Sequence, residues 1–219
     1  TLNGRYGDIE ITDRIQARTD LANNVAGQGD VSVGTDVNVS NIVSISTEKG
    51  SIAVAHAVNA EEGSVSMTTG SGDVLLGKDV TAEKDVAIVS GKGNIVIGDV
   101  TTGDDGDVLS RTGNVSIRTD EGSVGIVKTV TAQQGSVGIA SGQGDILIGN
   151  NGPDVKTVTA QENIDVSTGV GQVKIYGKTS TQDGDISMSA GANAYTKGAR
   201  NFIIEQNGLL ASGRDITMT

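Results

Sequence analysis

Apolar and polar residues alternate along most of the chain in bursts of three to five, separated by glycine-rich corners. "VSV", "VNV" and "VSI", starting at Val31, Val37 and Val43, are followed by "IAV", "VNA" and "VSM", starting at Ile52, Val58 and Val65. An apolar, variable, apolar triplet is the period-two mark of a strand buried on one side, and helical spacing is nowhere sustained. The triplets also recur as a block. The first apolar residue of the phrase G-[D/S/N]-[V/I] falls at Ile9, Val31, Ile52, Val74, Ile95, Val124, Ile146, Val173 and, in a degenerate copy, Ile203, in steps of 22, 21, 22, 21, 29, 22, 27 and 30 residues. Three short strands per 21–22 residues bring the chain back to its starting point, so successive coils stack in parallel register. The remainder of each coil supplies the long crossover that parallel pairing needs, and the usual hand of such crossovers makes it right-handed. The expected fold is therefore an all-β, right-handed parallel β-helix of about nine coils, one domain over residues 1–219. At about 4.8 Å per coil it forms a rod about 43 Å long.

On a solenoid, binding is read from the outward positions and from the irregularities. The middle residues of the first face are Glu10, Ser32, Ala53, Leu75, Val96, Gly125, Leu147 and Lys174. Leu75, Val96 and Leu147 thus project apolar side chains from a solvent-facing sheet and are candidate partner-binding residues. The second face presents a polar ladder, Asn38, Asn59, Thr81, Thr101, Thr131 and Thr159; the third presents only small residues, Ala22, Ser44, Ser66, Ala87, Gly138 and Ser187. The long steps predict insertions near 109–121, with an extra strand at Val115 to Ile117, near 149–157 with the sole proline Pro153, and near 189–202. Insertions map to loops, and loops carry recognition. The last one holds Tyr195, Arg200 and Phe202, a second candidate contact site, or else aromatics that cover the end of the core.

Composition restricts the partners. The chain has no cysteine, so disulfides do not staple it, and its aromatics are only Tyr6, Tyr176, Tyr195 and Phe202, so Val, Ile, Leu and Ala must build the core. A net charge of -11 argues against nucleic acid or an anionic membrane surface. No apolar run reaches the roughly 20 residues of a membrane span. The chain begins at Thr1 without an initiator Met or a charged-then-apolar signal segment, which predicts a processed or excised piece.

Several chemical readings of the same letters fail on their spacing. "GDVLLGKD", from Gly72, approximates a phosphate loop, but Asp79 stands where a hydroxyl should hold magnesium and the interior reads as a strand. "GSGD" and "GQGD" lack the tandem nine-residue spacing of calcium-binding repeats. Asp104, Asp105 and Asp107 form a possible weak calcium loop, more simply a solvated turn. His56, the sole histidine, has no cysteine to share a zinc ion. The best cluster for an enzyme acting on polysaccharide, Arg111, Arg118, Asp120 and Glu121, reads instead as the charged flanks of a strand. The sequence therefore assigns no catalytic residue, no metal ligand and no cofactor.

The segments "GKDVTAEKDVAIVSGKGNIVIGDVTT" and "GSVGIVKTVTAQQGSVGIASGQGDILIG" share a "VTA…GSVxI…SGxGDIxIG" cadence. This cadence resembles the passenger repeats of large bacterial exoproteins of the filamentous haemagglutinin type, over roughly Gly7 to Met188. The resemblance implies a non-enzymatic, secreted or cell-surface β-helical stalk that displays adhesive surfaces to a glycan or protein on a host or neighbouring cell. It supplies no catalytic residues. The alternative is a self-polymerising extracellular filament subunit whose open ends stack copies end to end. A polysaccharide lyase or hydrolase is a distant third.

Overall fold

The computed structural model describes residues 2–3, 7–12, 15–17, 21–25, 28–98, 105–149, 157–191, 202–204 and 210–219. All strand pairing among these residues is parallel, and it builds three sheets of nine, nine and ten strands wound as a parallel β-helix. The first face runs from Ile9–Ile11 through Val74–Leu76, Ile95–Ile97, Val124–Ile126 and Ile146–Ile148 to Phe202–Ile204. The second runs from Ile15–Ala17 to Leu210–Ala211, and the third from Leu2–Asn3 to Ile216–Met218.

Each coil places like on like. In the central coils the outer residues of every triplet point inward and are buried, so columns such as Ile52, Val74, Ile95, Val124, Ile146 and Val173 fill the axis with branched aliphatics. β-Branched side chains suit this pleated, one-sided burial, and a core three short strands wide leaves little room for aromatic rings.

The phrase G-[D/S/N]-[V/I] is explained by what the first ladder residue leaves behind. Val31 donates its N–H to the Ser51 carbonyl, in the next coil, but the N–H of the residue before it has no place in the ladder. A side chain of the preceding coil accepts it. Asp30 N–H donates to Asp8 Oδ1 at 3.0 Å, Ser51 N–H to Asp30 Oδ1 at 2.7 Å, Asn94 N–H to Asp73 Oδ1 at 2.7 Å, and Gln172 N–H to Asp145 Oδ1 at 2.8 Å. Equivalent columns precede the other two faces: Asn114 N–H donates to Asp85 Oδ1, and Thr129 N–H to Asp107 Oδ1. Asp, Asn and Ser recur there because a short side-chain acceptor satisfies a donor that the ladder cannot reach.

The glycine of that phrase is forced by a second contact. Gly29, Gly50, Gly72, Gly93, Gly122, Gly144 and Gly171 stack directly. A Cβ on any of them would lie 2.1–2.3 Å from the carbonyl oxygen of the glycine one coil earlier. Those carbonyls in turn accept buried hydroxyls from the last inward position of the third face. Thr47, Thr69, Ser90, Thr119, Ser141 and Thr168 donate to Gly29, Gly50, Gly72, Gly93, Gly122 and Gly144 at 2.6–2.9 Å. The glycine-rich phrase is scaffold, and its polar letters brace one coil on the next.

The insertion expected at 109–121 is not there. Val108–Ser110 pairs in register with Val80–Ala82, and Val115–Glu121 with Val86–Lys92, so both are regular strands of one coil. The extra residues of the 29-residue step lie between Gly98 and Gly106 instead, and these two glycines approach so closely that a Cβ on Gly106 would sit 2.6 Å from Gly98 Cα. Both take positive φ, 93° and 106°. The "VTT" at Val100 imitates a second-face strand in sequence, but the register gives the place expected for Thr101 to Leu109, between Thr81 and Thr131. Thr101 itself lies outside the described residues, as do 150–156 and 192–201 within the other two expected insertions. The degenerate last copy is shifted by one residue from the sequence reading. Phe202, not Ile203, pairs with Val173.

Candidate functional site

The first face carries the least ordinary surface of the described molecule. Register aligns Leu75, Val96, Gly125, Leu147 and Lys174 in one outward column across five successive coils. Leu75 and Leu147 are each 42% exposed, more than large aliphatics usually are, while Val96 is half-buried between its neighbours. Together they bound a depression of about 520 Å³, with Gly125 as its floor. Polar corner residues that start these strands, Asp73, Asn94, Ser123, Asp145 and Gln172, form one wall. Lys174 closes the far end, its Nζ 4.7 Å from the centroid of the Tyr176 ring.

The wall is the brace column described above, so its geometry is fixed by the fold. Asp73 and Asp145 each give Oδ1 to an N–H of the next coil, which orients both carboxylates at the rim. The floor is fixed as well: Val124 and Ile126, on either side of Gly125, are anchored in the core. The arrangement offers apolar contact beneath and hydrogen-bond acceptors at the side.

Of the six residues singled out from sequence, Leu75, Val96 and Leu147 converge on this depression. Tyr195 and Arg200 lie outside the described residues. Phe202 pairs in register with Val173 of the preceding coil. Sequence reading named Gly125 and Lys174 as outward residues without assigning them to a site, and passed over Asp73 and Asp145. Their common signal was the register: Gly125 and Lys174 continue the outward column, and Asp73 and Asp145 stand two residues before it.

The charged residues considered for catalysis are held by separate partners. Arg118 makes a forked contact with Asp120 Oδ1, at 3.0 Å from Nε and 2.7 Å from Nη2. Arg111 lies 3.8 Å from Glu83, Lys92 3.2 Å from Glu121, and His56 4.0 Å from Asp36. Asp105 faces Lys78 at 3.7 Å, and Asp107 is a brace for Thr129. Among the described residues no three His, Cys, Asp or Glu side chains are grouped to hold a metal ion, and no helix is long and apolar enough to cross a membrane. Comparison with family models, curated proteins and solved structures gives no match for this chain.

Proposed function

We propose that this chain is a non-enzymatic β-helical segment of a secreted or cell-surface protein, a stiff stalk that presents its first face to a partner on another cell or surface. The observation that carries the reading is the apolar depression between Leu75, Val96 and Leu147; Ile42, Val170, Ile216 and Met218 are as exposed as the two leucines but do not line it. The scaffold supports it. Each coil is tied to the next by backbone ladders, side-chain braces and buried hydroxyls, so a surface several coils long stays in fixed register. The resemblance of the repeats to exoproteins of the filamentous haemagglutinin type adds the extracellular setting and the adhesive role.

The test is retention under flow. Beads coated with the purified chain are expected to stay on cell monolayers several-fold better than albumin-coated beads. The double variant Leu75→Asp with Leu147→Asp, checked for an unchanged circular dichroism spectrum, is expected to lose that advantage. Retention no better than albumin, on every cell type and matrix tried, would remove the adhesive reading.

A further inference from the structure

The depression is built around a missing side chain that the fold does not demand. From Gly29 to Gly171 every glycine in the corner column is obligatory, because a Cβ there would strike backbone. Gly125 is different: a Cβ on it would meet nothing within 4 Å. Glycine weakens a strand interior and often marks a place where a ligand or another backbone comes close. Here it opens a notch one coil high between Val96 and Leu147.

Charge and size narrow the occupant. Asp73 lies two coils before Gly125 and Asp145 one coil after it, both on the wall where the strands begin. Each uses one carboxylate oxygen in its brace, at 2.7 Å and 2.8 Å, and keeps its charge at the rim of a chain whose net charge is -11. Lys174, one coil beyond Asp145, is the one cation in the lining against these two carboxylates, so a cationic partner is still favoured, and a second copy of this chain is opposed by long-range repulsion. The face is only three residues wide, so five coils offer about 240 Å² at the strand spacings of a sheet, far less than the roughly 800 Å² per partner of a stable globular interface. An extended segment fits such a strip. Three coil spacings separate Asp73 from Asp145, about 14 Å, which is the distance between residues i and i+4 of an extended chain, and those residues share one side with i+2.

We propose that the first face binds an extended basic segment of the pattern cation, x, apolar, x, cation, its cations on Asp73 and Asp145 and its apolar side chain entering the Gly125 notch from the Val96 side. This rests on the reading of the first face as the binding surface and specifies its partner class. The contact resembles other recognition of linear peptides, in which a shallow pocket gives specificity and flanking charges steer the approach.

The test is fluorescence anisotropy with two labelled pentapeptides, Arg-Ser-Phe-Ser-Arg and Glu-Ser-Phe-Ser-Glu, at low and high salt. The expected result is saturable binding of the arginine peptide, at least tenfold tighter than the glutamate peptide and weakened by salt. Gly125→Leu fills the notch and is expected to weaken binding at least tenfold with an unchanged unfolding midpoint. Asp73→Asn with Asp145→Asn keeps the brace acceptors, as Asn94 does for Ser123 N–H, and is expected to abolish most of the salt dependence. Equal binding of both peptides, no binding of either, or indifference to Gly125→Leu would overturn the proposal. So would sedimentation as a dimer that Gly125→Leu dissociates, since the occupant is then a second copy. Beads that still adhere when the peptide fails leave the adhesive reading standing without this partner; a peptide that binds while beads do not adhere leaves the site standing without adhesion.

Discussion

Gly122 and Gly125 are three residues apart in one coil and have opposite meanings. A Cβ on Gly122 would lie 2.1 Å from the Gly93 carbonyl oxygen and 2.5 Å from its carbon, both backbone atoms of a coil that is itself pinned on either side. A Cβ on Gly125 would stand in open space. The first glycine is dictated by how closely the coils stack, and the second by nothing within the chain. The difference separates scaffold from surface in a sequence where the two use the same letters. A residue fixed by its neighbours one coil away carries no information about partners; an unforced one does only where it joins other surface features, as Gly125 joins the depression and Gly138, equally unforced on the third face, does not.

The sharpest way to break that contrast is at the scaffold. Gly122→Ala forces adjacent backbones apart and is expected to cost about 3 kcal/mol, in the upper range for overpacking, seen as a large drop in the urea midpoint. A smaller loss is expected from Thr119→Val, which keeps the shape of the buried side chain but leaves the Gly93 carbonyl without its 2.7 Å hydroxyl partner; about 1.5 kcal/mol is the scale for an unmade buried bond. Asp73→Ala removes the acceptor of Asn94 N–H at a partly exposed corner and is expected to cost about 1 kcal/mol, whereas Asp73→Asn keeps an oxygen in place and should restore most of it. Thermal melts of the two variants side by side measure that difference.

One substitution is expected to go the other way. Thr179 is fully buried in the column occupied by Val130 and Val158, and its hydroxyl is a buried polar atom without a hydrogen-bond partner. Thr179→Val restores the apolar column and should raise stability by about 1 kcal/mol, read as a higher urea midpoint at unchanged slope.

Much of the fold was legible because a solenoid repeats its constraints. Period-two triplets at Val31, Val37 and Val43 returning at Ile52, Val58 and Val65 define strands, faces and parallel register together. The sequence reading failed where two segments competed for one strand position. "VTT" at Val100 and "VLS" at Val108 both look like second-face triplets, and only the stacking of Val108 on Val80 and Val130 selects between them. The same limit applied to Phe202 and Ile203, where a shift of one residue exchanges inward and outward positions. At the candidate site the apolar stripe was visible, because Leu75, Val96 and Leu147 interrupt a polar pattern. The notch was not, since Gly125 looks like its structural neighbours until the space around it is measured, and the brace role of Asp73 and Asp145 needs the hydrogen bonds of the following coil.

The most direct test of this division is to measure the urea unfolding of Gly122→Ala and Gly125→Ala beside the parent chain. The predicted result is a large destabilisation for Gly122→Ala and a midpoint within about 0.5 kcal/mol of the parent for Gly125→Ala, as for a surface change away from packing. Comparable losses at the two positions would mean that Gly125 is scaffold after all, and would contradict the assignment of the first face as the surface left open for a partner.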